Sequence, residues 1–183
     1  LIGEMRDQTT AEIGLRAALT GHLVLSTLHT NDALSTPLRL IDMGVPRYMV
    51  ALSLHLVLAQ RLVRTVCSNC SEPHEPDAHH HAWLRQALGT DCDAVLASRP
   101  FRHGRGCEAC NSTGYSGRSG VYEFIEMTQD LVEAMNDGDP VRFTQAGRRQ
   151  MAGRTLRRDA LRLALAGRTT LDEVVRVGTA MED

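Results

Sequence analysis

Lysine is missing altogether: all 20 basic residues of the 183 are arginine. A phosphate loop of the form G-x-x-x-x-G-K-[ST] sets its lysine against the β- and γ-phosphates, so no such loop can lie in this sequence. Aromatic residues are scarce, at 4%, which leaves few rings on which unpaired bases could stack, and no nucleic-acid partner is expected. Long apolar runs are lacking too. The longest, MVALSLHLVLA from Met49 to Ala59, is broken by Ser53 and His55 and falls well short of the ~20 residues that span a bilayer. It reads as a core segment. What is present is a chain 43% hydrophobic with net charge −2, able to bury a core in one domain or in one domain with a small satellite.

The opening LIGEMRD runs two apolar residues through a glycine into an acid pair flanking an arginine. That is how a buried strand delivers carboxylates to a phosphate site. Glu4 and Asp7 would flank the strand end, where a carboxylate can hold magnesium or orient an attacking water; the same short string also suits an acidic surface loop. No charged leader or cleavage site precedes it, so the sequence is expected to start partway through a longer protein.

TTAEIGLRAALTG carries Thr9 and Glu12 at capping-box spacing and stops at Gly21, which predicts a short helix. HLVLSTLHT reads as a strand covered on both faces, as in a parallel sheet. His22 and His29 would stand at its two ends, with Thr27, Thr30 and Asn31 crowding the exit, an arrangement suited to sensing phosphate or to a structural histidine. Asp32 can cap a helix that ends at Gly44, a helix from Arg47 would take in His55 as a structural residue, and AQRLVRTV follows as a strand. Strands alternating with helices predict a three-layer α/β unit entered partway through.

From Cys67 the character changes. Cys67-x-x-Cys70 and Cys107-x-x-Cys110 can each place two thiolates on one ion, and four thiolates close a tetrahedral zinc shell. Redox pairs or disulfides are the alternative. Residues 71–106 between the pairs exceed the usual ribbon spacing, yet such a loop need only return its ends. His79 to His81 and Cys92 within it read as a solvated loop and an inert thiol. Beyond, SGVYEFIEM alternates like a half-buried strand, TQDLVEAMNDG reads as a helix, and two more helices are expected. Seven arginines between Arg148 and Arg168 mark a solvated helix face.

Taken in order, LIGEMRD, TGHLVLSTLHTNDA, RLIDMGV, AQRLVR, the two C-x-x-C pairs, GYSGR and RTLRRDALRLALAGRTTLDEVVRV resemble the C-terminal half of the type II secretion and type IV pilus assembly ATPases. Pilus retraction ATPases are similar over the first sixty or so residues but lack the cysteine module. The resemblance implies an α/β fold. Residues 1–66 would be the C-terminal part of a RecA-like P-loop core, 67–110 a tetracysteine zinc subdomain, and 111–183 a strand with helices. It implies Glu4 as the residue that polarises water, His29 with Thr27 at the nucleotide's terminal phosphate, and Cys67, Cys70, Cys107 and Cys110 on zinc. ATP, Mg2+ and Zn2+ are the implied ligands. The implied assembly is a homo-hexamer on the cytoplasmic face of the inner membrane, turning a membrane platform. The phosphate-loop lysine, an aspartate box and site-completing arginines would lie upstream. The competing reading is a non-enzymatic zinc-ribbon module that binds nucleic acid or a protein partner.

Overall fold

A computed structural model describes residues 1–98 and 101–179. In chain order the elements are α1 (Gln8–Leu19), α2 (Ser35–Asp42), α3 (Arg47–Ser53), β1 (Leu56–Val66), β2 (Ser71–His74), α4 (Ala78–Leu88), α5 (Cys92–Ser98), β3 (Phe101–Gly104), β4 (Tyr115–Glu126), α6 (Gln129–Asn136), α7 (Pro140–Met151), α8 (Leu156–Leu165) and α9 (Leu171–Thr179). β1 pairs with β4, and β2 pairs antiparallel with β3 in the register Ser71↔Gly104 to His74↔Phe101.

The chain divides into two compact units, Leu1–Ala59 with Glu123–Thr155 and Gln60–Tyr122 with Leu156–Asp183. These are not the successive blocks expected from sequence, with boundaries after residues 66 and 110. Strand pairing brings β4 beside β1 although the whole cysteine segment separates them in sequence, so each unit takes chain from two places.

The first unit buries Leu15 of α1, Leu40 of α2, Met49 and Val50 of α3, Ile125 of β4, Leu131 of α6 and Phe143 of α7 in one cluster. α1 is capped by Asp7 rather than Thr9: the Asp7 carboxylate accepts the Thr10 amide at 2.9 Å. The strands expected at the opening and at HLVLSTLHT do not form; the two segments are joined by isolated backbone bonds without a regular ladder. Ile2 N–H donates to Leu25 O at 2.9 Å and Met5 N–H to Thr27 O at 3.0 Å. The sense is parallel, but three residues on one side match two on the other, which breaks the even spacing of a parallel ladder. HLVLSTLHT is also not covered on both faces: Leu23 and Leu25 are exposed while Val24 and Leu28 pack on the core. His55 lies between α3 and β1 rather than inside a helix.

In the second unit the described residues between the cysteine pairs form regular elements. Asp77 accepts the His80 amide at 2.8 Å and caps α4, which turns His79 to His81 from the expected loop into helix; His80 and Leu84, one turn apart, are its buried positions. Among the described residues three helices follow α6 instead of two, since Ala152 and Gly153 end α7 and Gly167 ends α8, all three at positive φ. Leu161 and Leu163 of α8 and Val174 and Val177 of α9 are buried.

A charged group sits in this second core. Glu173 is fully buried and accepts Arg64 N at 2.7 Å, Arg64 Nε at 2.9 Å and Arg176 NH2 at 2.7 Å. Burial pushes its carboxyl up, but the hydrogen bonds from Arg176 and Arg64 outweigh that and hold it below the usual range. Glu173→Gln is expected to cost about 2 kcal/mol, below the full penalty of breaking a buried pair because both arginines are half exposed. A folded-state pKa below the unfolded one stabilises above the unfolded value and loses that contribution as pH falls through the folded value. Urea titrations should therefore show the gap between wild type and variant at neutral pH and see it close in acid.

Candidate nucleotide and metal sites

The opening segment reaches α1 and the 23–27 segment at close quarters. A Cβ on Gly14 would lie 2.5 Å from Met5 Cε and 2.8 Å from Ile2 Cδ1, so a larger residue there would make the ends of those two side chains shift. The Thr27 hydroxyl donates to Gly3 O at 2.7 Å. This places the two segment ends side by side: His29 Nε2 stands 3.0 Å from Glu4 Oε1. The other Glu4 oxygen accepts from Arg6, with Nε at 2.7 Å and NH2 at 2.6 Å. The Arg6 hydrogen bond, working against slight desolvation and helped by the charges of Arg6 and His29, holds the Glu4 carboxyl below its ordinary pKa. The Glu4 side chain is 19% exposed and the His29 side chain 90%. The result is an ionised carboxylate flanked by one fixed cation and one imidazole that still faces solvent.

Beyond His29 the chain turns tightly into α2. Asp32 Oδ1 accepts Ser35 N–H at 2.6 Å, and the Thr30 and Thr36 hydroxyls bond at 2.7 Å. The Ala33 amide donates to Glu123 Oε1, 2.8 Å away on β4.

In the second unit, the four expected cysteines converge, and their sulfurs all lie within 4.8 Å of one another. Sγ separations are 4.0 Å for Cys67–Cys107, 3.8 Å for Cys70–Cys110 and 3.7 Å for Cys107–Cys110. Thiolates 2.3 Å from a tetrahedral zinc stand about 3.8 Å apart, so this donor set fits that ion. The thiols are free, at separations far beyond the ~2.05 Å of a disulfide. Cys110 Sγ accepts the amides of Cys107 and Gly114 at 3.3 Å each. Burial opposes ionisation of Cys110, yet these amides draw its thiol down to about 6, while burial pushes Cys70 up to about 12. The loop closes because Gly104 and Gly114 touch backbone to backbone, and a Cβ on either would collide with the other.

The structure thus joins Glu4 to His29 and the four cysteines to one another, while Thr27 commits its hydroxyl to the backbone and Asp7 caps α1. Sequence reasoning overlooked Glu123. A signal was there: Val121, Glu123 and Ile125 alternate onto one face of β4, all three are buried, and an acid on the apolar phase of a strand asks for a partner.

Comparison with known proteins agrees with the sequence resemblance. A family model described as type II/IV secretion system protein matches residues 1–176. The chain is 44% identical over 180 residues to type II secretion system protein E of Pectobacterium carotovorum subsp. carotovorum, covering 97% of this chain and 34% of that protein. It is 41% identical over 175 residues to the type IV pilus assembly ATPase PilB of Myxococcus xanthus, covering 96% and 30%. The chain therefore spans about a third of the length of these relatives. Among solved structures, the Legionella pneumophila ATPase DotB is similar in fold at 20% identity, with a TM-score of 0.61 over 97% of this chain and 38% of that one. The pilus retraction motor PilT with bound ADP follows at 23% identity and a TM-score of 0.59, over 96% and 38%. With a family match across nearly its whole length and close relatives on both the secretion and the pilus side, the chain belongs to the type II/IV secretion system protein family.

Proposed function

We propose that this chain is the part of a motor ATPase that carries the water-activating carboxylate, Glu4, and a terminal-phosphate sensor, His29, with Thr27 supporting the segment between them. The observation that carries the reading is the 3.0 Å approach of His29 Nε2 to Glu4 Oε1: two residues from separate segments meet as an ionised base and a donor facing solvent. Glu4 would take the proton of a water, and His29 would donate to a phosphate oxygen. Mg2+ bound with the triphosphate would neutralise phosphate charge. The lysine and loop amides that grip the phosphates would come from a segment outside these 183 residues, in a RecA-like core.

The full-length protein would work as a homo-hexamer that turns an inner-membrane platform from the cytoplasmic side, to drive protein secretion or pilus assembly. Relatives named for both systems support that range. No helix among the described residues is long and apolar enough to cross a membrane, which suits peripheral attachment. Cys67, Cys70, Cys107 and Cys110 would hold one structural zinc, since four thiolates leave no open position for water or substrate.

A turnover assay on the purified 183-residue chain tests the division of labour. Hydrolysis above the background of a Glu4→Ala control is not expected, because nothing in this chain supplies the phosphate loop. Magnesium-dependent turnover that Glu4→Ala removes would place the whole site within this chain and refute the proposal.

A further inference from the structure

We infer that Glu123 is a positioning residue for the phosphate-sensing loop: its buried carboxylate pins the Ala33 backbone and so sets where His29 stands. The inference rests on the nucleotide-site reading above. Glu123 is 2% exposed, and Ala33 and Thr36 beside it are buried as well. A carboxylate taken out of water is retained only where specific partners offset its desolvation. Here Oε1 takes the Ala33 amide at 2.8 Å, across 90 residues of sequence. The bonds that Ser35 N–H and the Thr36 hydroxyl donate to Asp32, and the one between the Thr30 and Thr36 hydroxyls, are local. They shape the turn without anchoring it to the sheet.

A second hold acts on the next residue. Leu34 is buried against α7 at Gly147, where any Cβ would collide with its side chain. The loop is thus fastened at two successive residues by β4 and α7, both of which follow the cysteine segment in sequence. His29 itself is highly exposed and has Glu4 as its ion-pairing neighbour, so its place is set by the backbone on either side: by the Thr27–Gly3 bond before it and by the Ala33 and Leu34 anchors after it. Small displacements of such a group are costly, since a shift of about 1 Å can lower a rate on the order of 100-fold.

The test uses the full-length protein with three variants. Glu123→Met keeps side-chain bulk without an acceptor oxygen, Glu123→Gln keeps the acceptor without the charge, and His29→Ala serves as reference. Binding of ADP and of a non-hydrolysable triphosphate analogue is measured beside turnover. Glu123→Met should weaken the analogue roughly 10-fold, leave ADP within about 2-fold, and slow turnover about 10- to 100-fold. Glu123→Gln should stay within about 3-fold of wild type, because its Oε1 still accepts the amide. Equal weakening of both nucleotides, an unchanged Glu123→Met, or a Gln variant as impaired as Met would overturn the inference. If His29→Ala leaves discrimination between the nucleotides intact, the sensing reading itself fails; if only Glu123→Met leaves it intact, the positioning role alone fails.

Discussion

Glu4→Gln in the full-length protein is expected to retain nucleotide and lose turnover by about 100- to 10,000-fold, the range of a missing general base. The amide preserves the shape of the side chain and can still accept from Arg6, but it cannot take a proton from water. Binding and rate should therefore separate, with nucleotide affinity within a few-fold of wild type. The electrostatics add a pH signature. Arg6 and His29 keep the Glu4 carboxyl ionised below its ordinary range, so the acidic limb of the rate profile should lie below the usual carboxylate value. Arg6→Ala removes the largest of those influences, and the limb should then move to higher pH. Near-normal hydrolysis by Glu4→Gln would assign the water to another carboxylate.

Removing metal should produce the second large effect. Elemental analysis of the purified protein should find one zinc per chain, and each of Cys67, Cys70, Cys107 and Cys110 changed to serine should lower that content. Apparent binding energies of structural zinc in small finger peptides run to about 10–16 kcal/mol, far above what a two-stranded pair of four-residue strands and two knuckles could supply. The loop would lean on that ion. Its backbone bonds, Cys67 N to Gly114 O at 2.9 Å, Arg105 N to Cys70 O at 3.2 Å and Ser112 N to Cys107 O at 2.8 Å, all border the sulfur cluster. Chelation should speed hydrogen exchange at these three amides about 100-fold or more, while the amides of α1 and α3 keep their protection. Metal uptake should strengthen as pH rises, because binding releases the thiol protons. Zinc-free protein, or equal metal content in all four serine variants, would refute the site.

The cysteine cluster is legible in the sequence alone. Two C-x-x-C pairs can meet on one ion whatever lies between them, and the fold brings their sulfurs together. The missing lysine is equally decisive, since no folding of this chain can supply a group it does not contain. Helices α1 and α2 follow from their capping and stop residues, α3 and α6 and strand β1 from their local sequence, and strand β4 from its apolar alternation, which records one buried face. Periodicity does not record which elements meet. It could not show that β4 lies beside β1, that the units are assembled from separated segments, or that Asp77 turns a histidine run into helix. Nor could it tell Asp7, committed to a helix cap, from Glu4, set against His29; both read as acids at a strand end. Glu123 is the sharpest case. Its place on the apolar phase of β4 marks it as unusual, but the bond that ties it to the loop runs to a backbone amide 90 residues away. Any residue except proline offers an amide, so the side-chain alphabet carries no trace of that bond, and only the tertiary fold, which brings the two atoms within 2.8 Å, creates it.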